Sequence, residues 1–206
     1  MSERRFRRPA MLDPEEAEEI VGDADPAGDA EVAHTSAWAL LGVPGEDFDE
    51  EHVARLRETV RAQGVDIVAA LWDKSPAFTL PGALWRLYLL WQWNQINPDI
   101  VAARFAEGIE VLQKQDRPVP EPLDQTMRAV GGVLAGYATE DDLAPVLTSA
   151  ATAMRVMATG ITYGPEWILE DRHQLAHPVT RRPQALLETA SELEQSASLA
   201  VTGTLD

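Results

Sequence analysis

Residues 80–93, Leu-Pro-Gly-Ala-Leu-Trp-Arg-Leu-Tyr-Leu-Leu-Trp-Gln-Trp, form the most apolar and aromatic stretch of the chain and constrain the fold most. Leu84, Trp85, Leu87, Tyr88, Leu89, Leu90, Trp91 and Trp93 fall on every side of a 3.6-residue wheel. A surface helix has one apolar stripe, so this pattern predicts a central buried helix over about 81–96 with the rest of the chain packed around it. Such a helix rises about 24 Å at ~1.5 Å per residue, and Arg86 interrupts its apolar run, whereas a bilayer-spanning helix needs ~20 predominantly apolar residues. A guanidinium inside it stays charged, and burying it unpaired costs several kcal/mol. A carboxylate partner is therefore expected for Arg86, with Asp73 preferred over Asp99 and Glu107 because the Ser75–Pro81 turn returns toward the helix start. The functional alternative is that Arg86 faces a cleft and binds an anion.

The flanking sequence supplies further helices and no strand. Asp49-Glu50-Glu51 followed by Val53, Leu56, Val60 and Gly64 is an acid-capped amphipathic helix with a glycine stop, and a shorter helix runs from Asp66 to Trp72. Asn97-Pro98-Asp99 ends the central helix and starts the next, whose Val101, Phe105, Ile109 and Leu112 share a face, so the pair makes an αα-hairpin. Prolines at 118, 120 and 122 make 115–123 an extended connection. Helices then follow from Asp124, where Gly131, Gly132 and Gly136 call for a packing or ligand-approach reason. The next begins at Thr139-Glu140-Asp141-Asp142, a capping-box pattern, and carries Pro145 near its start. Further helices run from Pro165 to His177 and from Pro183 onward. In the last, Leu186, Ala190, Leu193, Ala197 and Ala200 form one stripe for docking on the bundle or on a second copy. No strand-length alternation of polar and apolar residues occurs, and the reading is all-α: a single-domain multi-helix bundle.

The N-terminal part differs in composition. Residues 1–11 are basic through Arg4, Arg5, Arg7 and Arg8, and from Asp13 to Glu51 every formally charged side chain is acidic. Too few apolar residues accompany that charge to offset ordering entropy, so residues 1–34 are expected to form a disordered tail. The ordinary reading of this segment is a solvated tail; the sharper one is that the basic arm folds back on its acidic neighbour or that one of the two docks on a partner. A short helix from Thr35 to Leu41 is expected to pin the tail to the domain, which begins at residue 35, through Trp38.

Charge and composition limit the function classes. A formal net charge of −17 disfavours a broad nucleic-acid surface or binding to anionic lipid. The absence of cysteine removes disulfides, thiolate metal sites and cysteine nucleophiles. With no signal sequence or membrane anchor recognisable, a cytoplasmic location is expected.

Three constellations bear on chemistry. Glu166, Glu170, His173 and His177, spaced four, three and four apart, share one helix face and carry a Glu-x-x-His pair of the kind helical carboxylate-bridged metal sites use. Such sites need a second pair and two more carboxylates, and the other Glu-x-x-His, Glu31 to His34, lies in the acidic region. The bland reading is a solvated face with i,i+3 and i,i+4 pairs. Arg172, His173, His177, Arg181 and Arg182 form a basic cluster without an intervening acid, a candidate anion site near the helix start at Pro183; its ordinary reading is positive charge at a helix C-terminus. Trp72, Phe78, Trp85, Tyr88, Trp91 and Trp93 read as core before they read as a ligand cleft. No phosphate-loop, nucleophile-elbow or dinucleotide motif is present. The expectation is a non-enzymatic helical interaction or adaptor protein without a cofactor, acting on a protein partner or a second copy through the C-terminal helix. The competing expectation is a ligand- or divalent-metal-binding helical protein, an enzyme included, using the 166–177 face or the 172–182 cluster.

Overall fold

The computed structural model of the protein describes residues 26–45, 48–161 and 183–206. Among them the architecture is all-helical: α1 (Pro26–Leu40), α2 (Glu50–Gln63), α3 (Asp66–Ala69) with a 3-10 turn over Ala70–Trp72, α4 (Leu80–Ile96), α5 (Pro98–Lys114), α6 (Leu123–Leu134), α7 (Glu140–Ile161) and α8 (Pro183–Val201). None of these helices is long and apolar enough to cross a membrane.

The central helix is buried as its wheel requires. Leu80 through Leu84, Leu87 through Leu90 and Trp93 are buried, and Trp85, Arg86 and Trp91 are half-buried. It packs against α1, α3, α5, α6, α7 and α8. Its first turn shows why the Thr-Leu-Pro-Gly sequence starts a helix here. A helix leaves its first N–H groups without internal partners; at this end Leu80 N–H donates to the Asp206 carbonyl at 2.7 Å, Pro81 has no N–H, and Gly82 N–H donates to Thr79 Oγ1 at 3.2 Å. Every donor is accounted for. Gly82 is needed because a Cβ there would sit 1.8 Å from the Pro76 carbonyl oxygen.

The bundle has a second hub in α7. Its pairings with α8 and with α5 are the most extensive in the molecule, and it buries Leu147, Ala150, Ala151, Met154 and Met157 completely. Small residues permit this. A Cβ on Gly108 of α5 would meet the Val156 carbonyl oxygen at 2.0 Å, and one on Gly160 of α7 would meet the Arg104 carbonyl oxygen at 2.6 Å, so the two backbones cross in contact. Leu186, Ala190, Leu193 and Ala197 of α8 are buried. That stripe is therefore used within the chain, against α7 and α4. Pro145 is accommodated in the second turn of α7, and at its start the Asp142 carboxylate reaches back to accept both the N–H and the hydroxyl of Thr139.

Two positions depart from the sequence expectation. Helix α1 begins at Pro26, nine residues before the start at Thr35 read from the sequence. Proline suits a first helical position, and Ala27, Ala30, Ala33 and Ala37 favour the helix while costing little side-chain entropy. Ala33 and Ala37 reach the core, and Ser36 accepts the Trp72 indole N–H at 3.1 Å, so helix and core are joined by packing as well as propensity. Residues 1–25 of the expected tail lie outside the described residues. The expected partner of Arg86 is also displaced. Asp73 is solvent-exposed, and Arg86 instead donates from Nε to Glu192 Oε2 of α8 at 2.6 Å and from Nη1 to the Gly82 carbonyl at 2.8 Å. The contact joins elements 106 positions apart, and no local pattern announces it.

The glycines of α6 divide as follows. Gly131 faces Trp91 Nε1, Gly136 ends the helix at φ 68°, and Gly132 has no neighbour within 4 Å of its Cβ position.

Candidate functional site

The sequence candidates fall in different places. Glu166, Glu170, Arg172, His173, His177, Arg181 and Arg182 lie outside the described residues. Arg86 is described, and its guanidinium is engaged by Glu192 and Gly82, with side-chain exposures of 16% for Arg86 and 32% for Glu192. This is an interior tie between α4 and α8, partly reached by solvent. Among the described residues no three His, Asp or Glu side chains gather closely enough to hold a metal ion.

Five of the ten described Lys and Arg side chains are committed to ties or ring contacts between parts of the bundle. Arg57 donates to the Gly136 and Ala138 carbonyls at 2.7 and 3.2 Å, and Arg61 to Gly136 at 2.6 Å while lying over the Tyr137 ring. Burial and the neighbouring Arg61 lower the pKa of Arg57 from its usual value. Placing positive charge on the carbonyls at the end of α6 fits the helix dipole. Arg104 is 2% exposed, with its guanidinium 4.6 Å from the centre of the Trp93 ring. Arg155 of α7 makes a fork with Glu194 of α8 at 2.7 and 2.6 Å. A cleft of about 530 Å³ beside Arg155 and Arg117 runs along the proline-rich connection, and Glu194 already neutralises one of its two cations.

The charge balance is reversed around α1. On one side a cleft of about 560 Å³ lies between α1 and the 3-10 turn with the loop after it, lined by Ala30, Val32, Ala33, Leu71 and Pro76, with Asp29, Asp73, His34 and the single cation Lys74 among its polar residues. Val32 and Leu71 are 51% and 43% exposed. On the other side a cleft of about 600 Å³ is bounded by Trp38 of α1, by Val43, Pro44 and Gly45, and by the carboxylates Glu31, Glu140 and Asp206. No Lys or Arg among the described residues lines it. None of those three carboxylates forms an ion pair or side-chain hydrogen bond with a described residue. Trp38 is half-buried, its body against the core cluster.

The elements fix this geometry. Asp206 is held where Leu80 N–H donates to its carbonyl and Leu205 is buried. Glu140 opens α7 beside the Thr139 cap. Trp38 is placed by the C-terminal turn of α1, whose carbonyl at 38 accepts the Val43 and Leu41 N–H groups. Trp38 was legible as an anchoring residue. The carboxylates are contributed by the start of α1, the start of α7 and the last described residue, so their convergence leaves no spacing to find in the chain. Val32 does leave a signal, as an apolar residue off the face defined by Ala33, Ala37 and Leu40.

Comparison with protein-family models, curated proteins and solved structures finds no match to the chain.

Proposed function

We propose that the chain is a non-enzymatic helical interaction protein whose docking face is α1 with its two flanking clefts, and that it takes a cationic segment carrying apolar side chains. The observation that carries this reading is the cleft at Trp38, where three carboxylates without ion-pair partners among the described residues surround an apolar wall. Three carboxylates lining one cleft give it a negative potential that attracts a cationic ligand, while Trp38, Val43 and Pro44 bury the ligand's apolar groups. An aromatic half-buried beside acidic groups also suits an arginine, which stacks its plane on a ring while its edge meets carboxylates. The C-terminal helix, whose stripe is buried, is not the docking element in this reading.

The test is a titration with a synthetic cationic amphipathic peptide, read by tryptophan fluorescence with Trp38→Phe as the reference. Saturable binding is expected, weakened about tenfold by Glu31→Lys with Glu140→Lys, the loss of two close charge contacts at ~0.7 kcal/mol each. An acidic peptide of equal length should not bind. Absence of saturable binding, or binding indifferent to the charge reversal, removes the reading.

A further inference from the structure

We infer that the segment Arg-Arg-Phe-Arg-Arg at residues 4–8 of this same chain is an occupant of the acidic cleft beside Trp38, so that the docking face is covered intramolecularly and a partner gains it by competition. The inference rests on the docking-face reading and adds the identity of one occupant and a regulation.

Charge complementarity is the first argument. The segment places four guanidinium groups around one aromatic ring, in a chain whose formal charge is −17. The cleft presents Glu31, Glu140 and Asp206 around Trp38, Val43 and Pro44. Arginine forks match carboxylates in pairs, and Phe6 supplies the apolar group that the wall between them accommodates. Residues 13–25 compete for the same arginines with seven carboxylates, but their apolar content is Ile20, Val21 and two alanines, with no aromatic ring. The cleft offers both kinds of contact on elements packed into the bundle, and a preorganised site loses less entropy on binding.

Reach is the second argument. Residues 9–25 link the segment to α1, and a chain of that length spans at most ~56 Å at ~3.3 Å per residue. The cleft begins at Ala30 and Glu31, about one turn into α1. A short tether to so near a site gives an effective concentration on the order of millimolar. At that concentration a segment with an intrinsic Kd of about 100 µM is docked roughly ten to one, and a partner's apparent affinity falls about tenfold.

The experiment uses the full chain throughout. A labelled peptide of residues 1–12 is titrated into the wild type and into a variant with Arg4, Arg5, Arg7 and Arg8 all changed to Ser. Tighter binding to the variant, by about tenfold at low salt, is the expected result. Equal binding to both overturns the intramolecular occupancy and leaves the docking face standing; binding to neither overturns the docking face as well. A photo-cross-linking analogue at Phe6 then locates the contact. Cross-links to Trp38 or residues 43–45 within single chains, at a yield independent of protein concentration and lost in Glu31→Lys/Glu140→Lys, support the inference. Cross-links confined to residues 13–25, or formed between copies, overturn it.

Discussion

Arg86 Nε stands 2.6 Å from Glu192 Oε2, the pair bridging the middle of α4 and the middle of α8. Both side chains are largely but not wholly withdrawn from water, which strengthens their attraction beyond that of a surface pair while sparing them the full desolvation cost of a sealed interior. Arg86→Met should therefore cost about 2 kcal/mol in urea unfolding, between the surface and the buried limits. Glu192→Met in the same background should return part of that loss, since it removes a carboxylate left facing an apolar interface. A double variant as unstable as the sum of the single variants would show that the two side chains are not coupled.

The crossing of α5 and α7 admits no side chain at Gly108. Alanine there would force apart two backbones in contact, and a loss of about 3 kcal/mol is expected for Gly108→Ala. Gly132→Ala is the control: its Cβ meets nothing within 4 Å, and the change should stabilise by about 0.5–1 kcal/mol through helix propensity. Opposite signs in thermal melts at matched pH check both.

Asp116 ends α5 at φ 55°, with its N–H donated to the Gln113 carbonyl and the Arg117 N–H to the Leu112 carbonyl. This is the position at which helices commonly place glycine, because a left-handed conformation costs an L residue with a side chain. Asp116→Gly should leave the helix end intact and stabilise by a few tenths to about 1 kcal/mol, despite the greater freedom of the unfolded chain. Asp116→Val should destabilise, since branching at Cβ worsens the same strain.

Two carboxylates set an acid limb. The Arg155 guanidinium bonded to Glu194 holds that carboxyl below its usual 4.5, and the Thr139 N–H and hydroxyl hold Asp142 below its usual 3.8. A group whose folded pKa is depressed contributes stability above its unfolded value and loses it as pH falls through the folded one. The wild type should accordingly be more stable than Glu194→Gln or Asp142→Asn at pH 6, with each difference starting to shrink near pH 4.5 and pH 3.8 respectively. Denaturant titrations between pH 6 and pH 2 measure this. Parallel curves for wild type and variants would mean the two groups are not linked to folding.

The all-α architecture and the burial of α4 were legible because they depend on local periodicity and on proline and glycine punctuation. Asn97-Pro98 did divide two helices, and Asp142 did reach back to the Thr139 N–H, one half of the capping box. The start of α1 was hidden by composition, since acidic residues masked an alanine spacing whose buried members contribute little hydrophobicity each. The apolar face of α7 through Leu143, Leu147, Met154 and Met157 was legible, but its closeness to α5 was not, because that crossing depends on Gly108 and Gly160, which leave no mark on a hydrophobic pattern. The Arg86 partner and the carboxylates around Trp38 depend on contacts between remote parts of the chain. Local spacing carries no trace of such contacts, and Asp73, preferred because the Ser75–Pro81 turn returns toward the helix start, is not the partner.

The bond from Leu80 N–H to the Asp206 carbonyl has a consequence for the order of events in synthesis. A ribosome delivers residues 80–96 long before residue 206, so the helix on which most others pack emerges with its leading amide uncapped and its Glu192 counter-charge still untranslated. Until α8 and Asp206 beyond it arrive, the nascent chain holds its tryptophan-rich segment without the cover it will acquire. Folding that proceeds strictly from the N-terminus therefore leaves the central helix without its full cover until the C-terminal part of the chain docks on it.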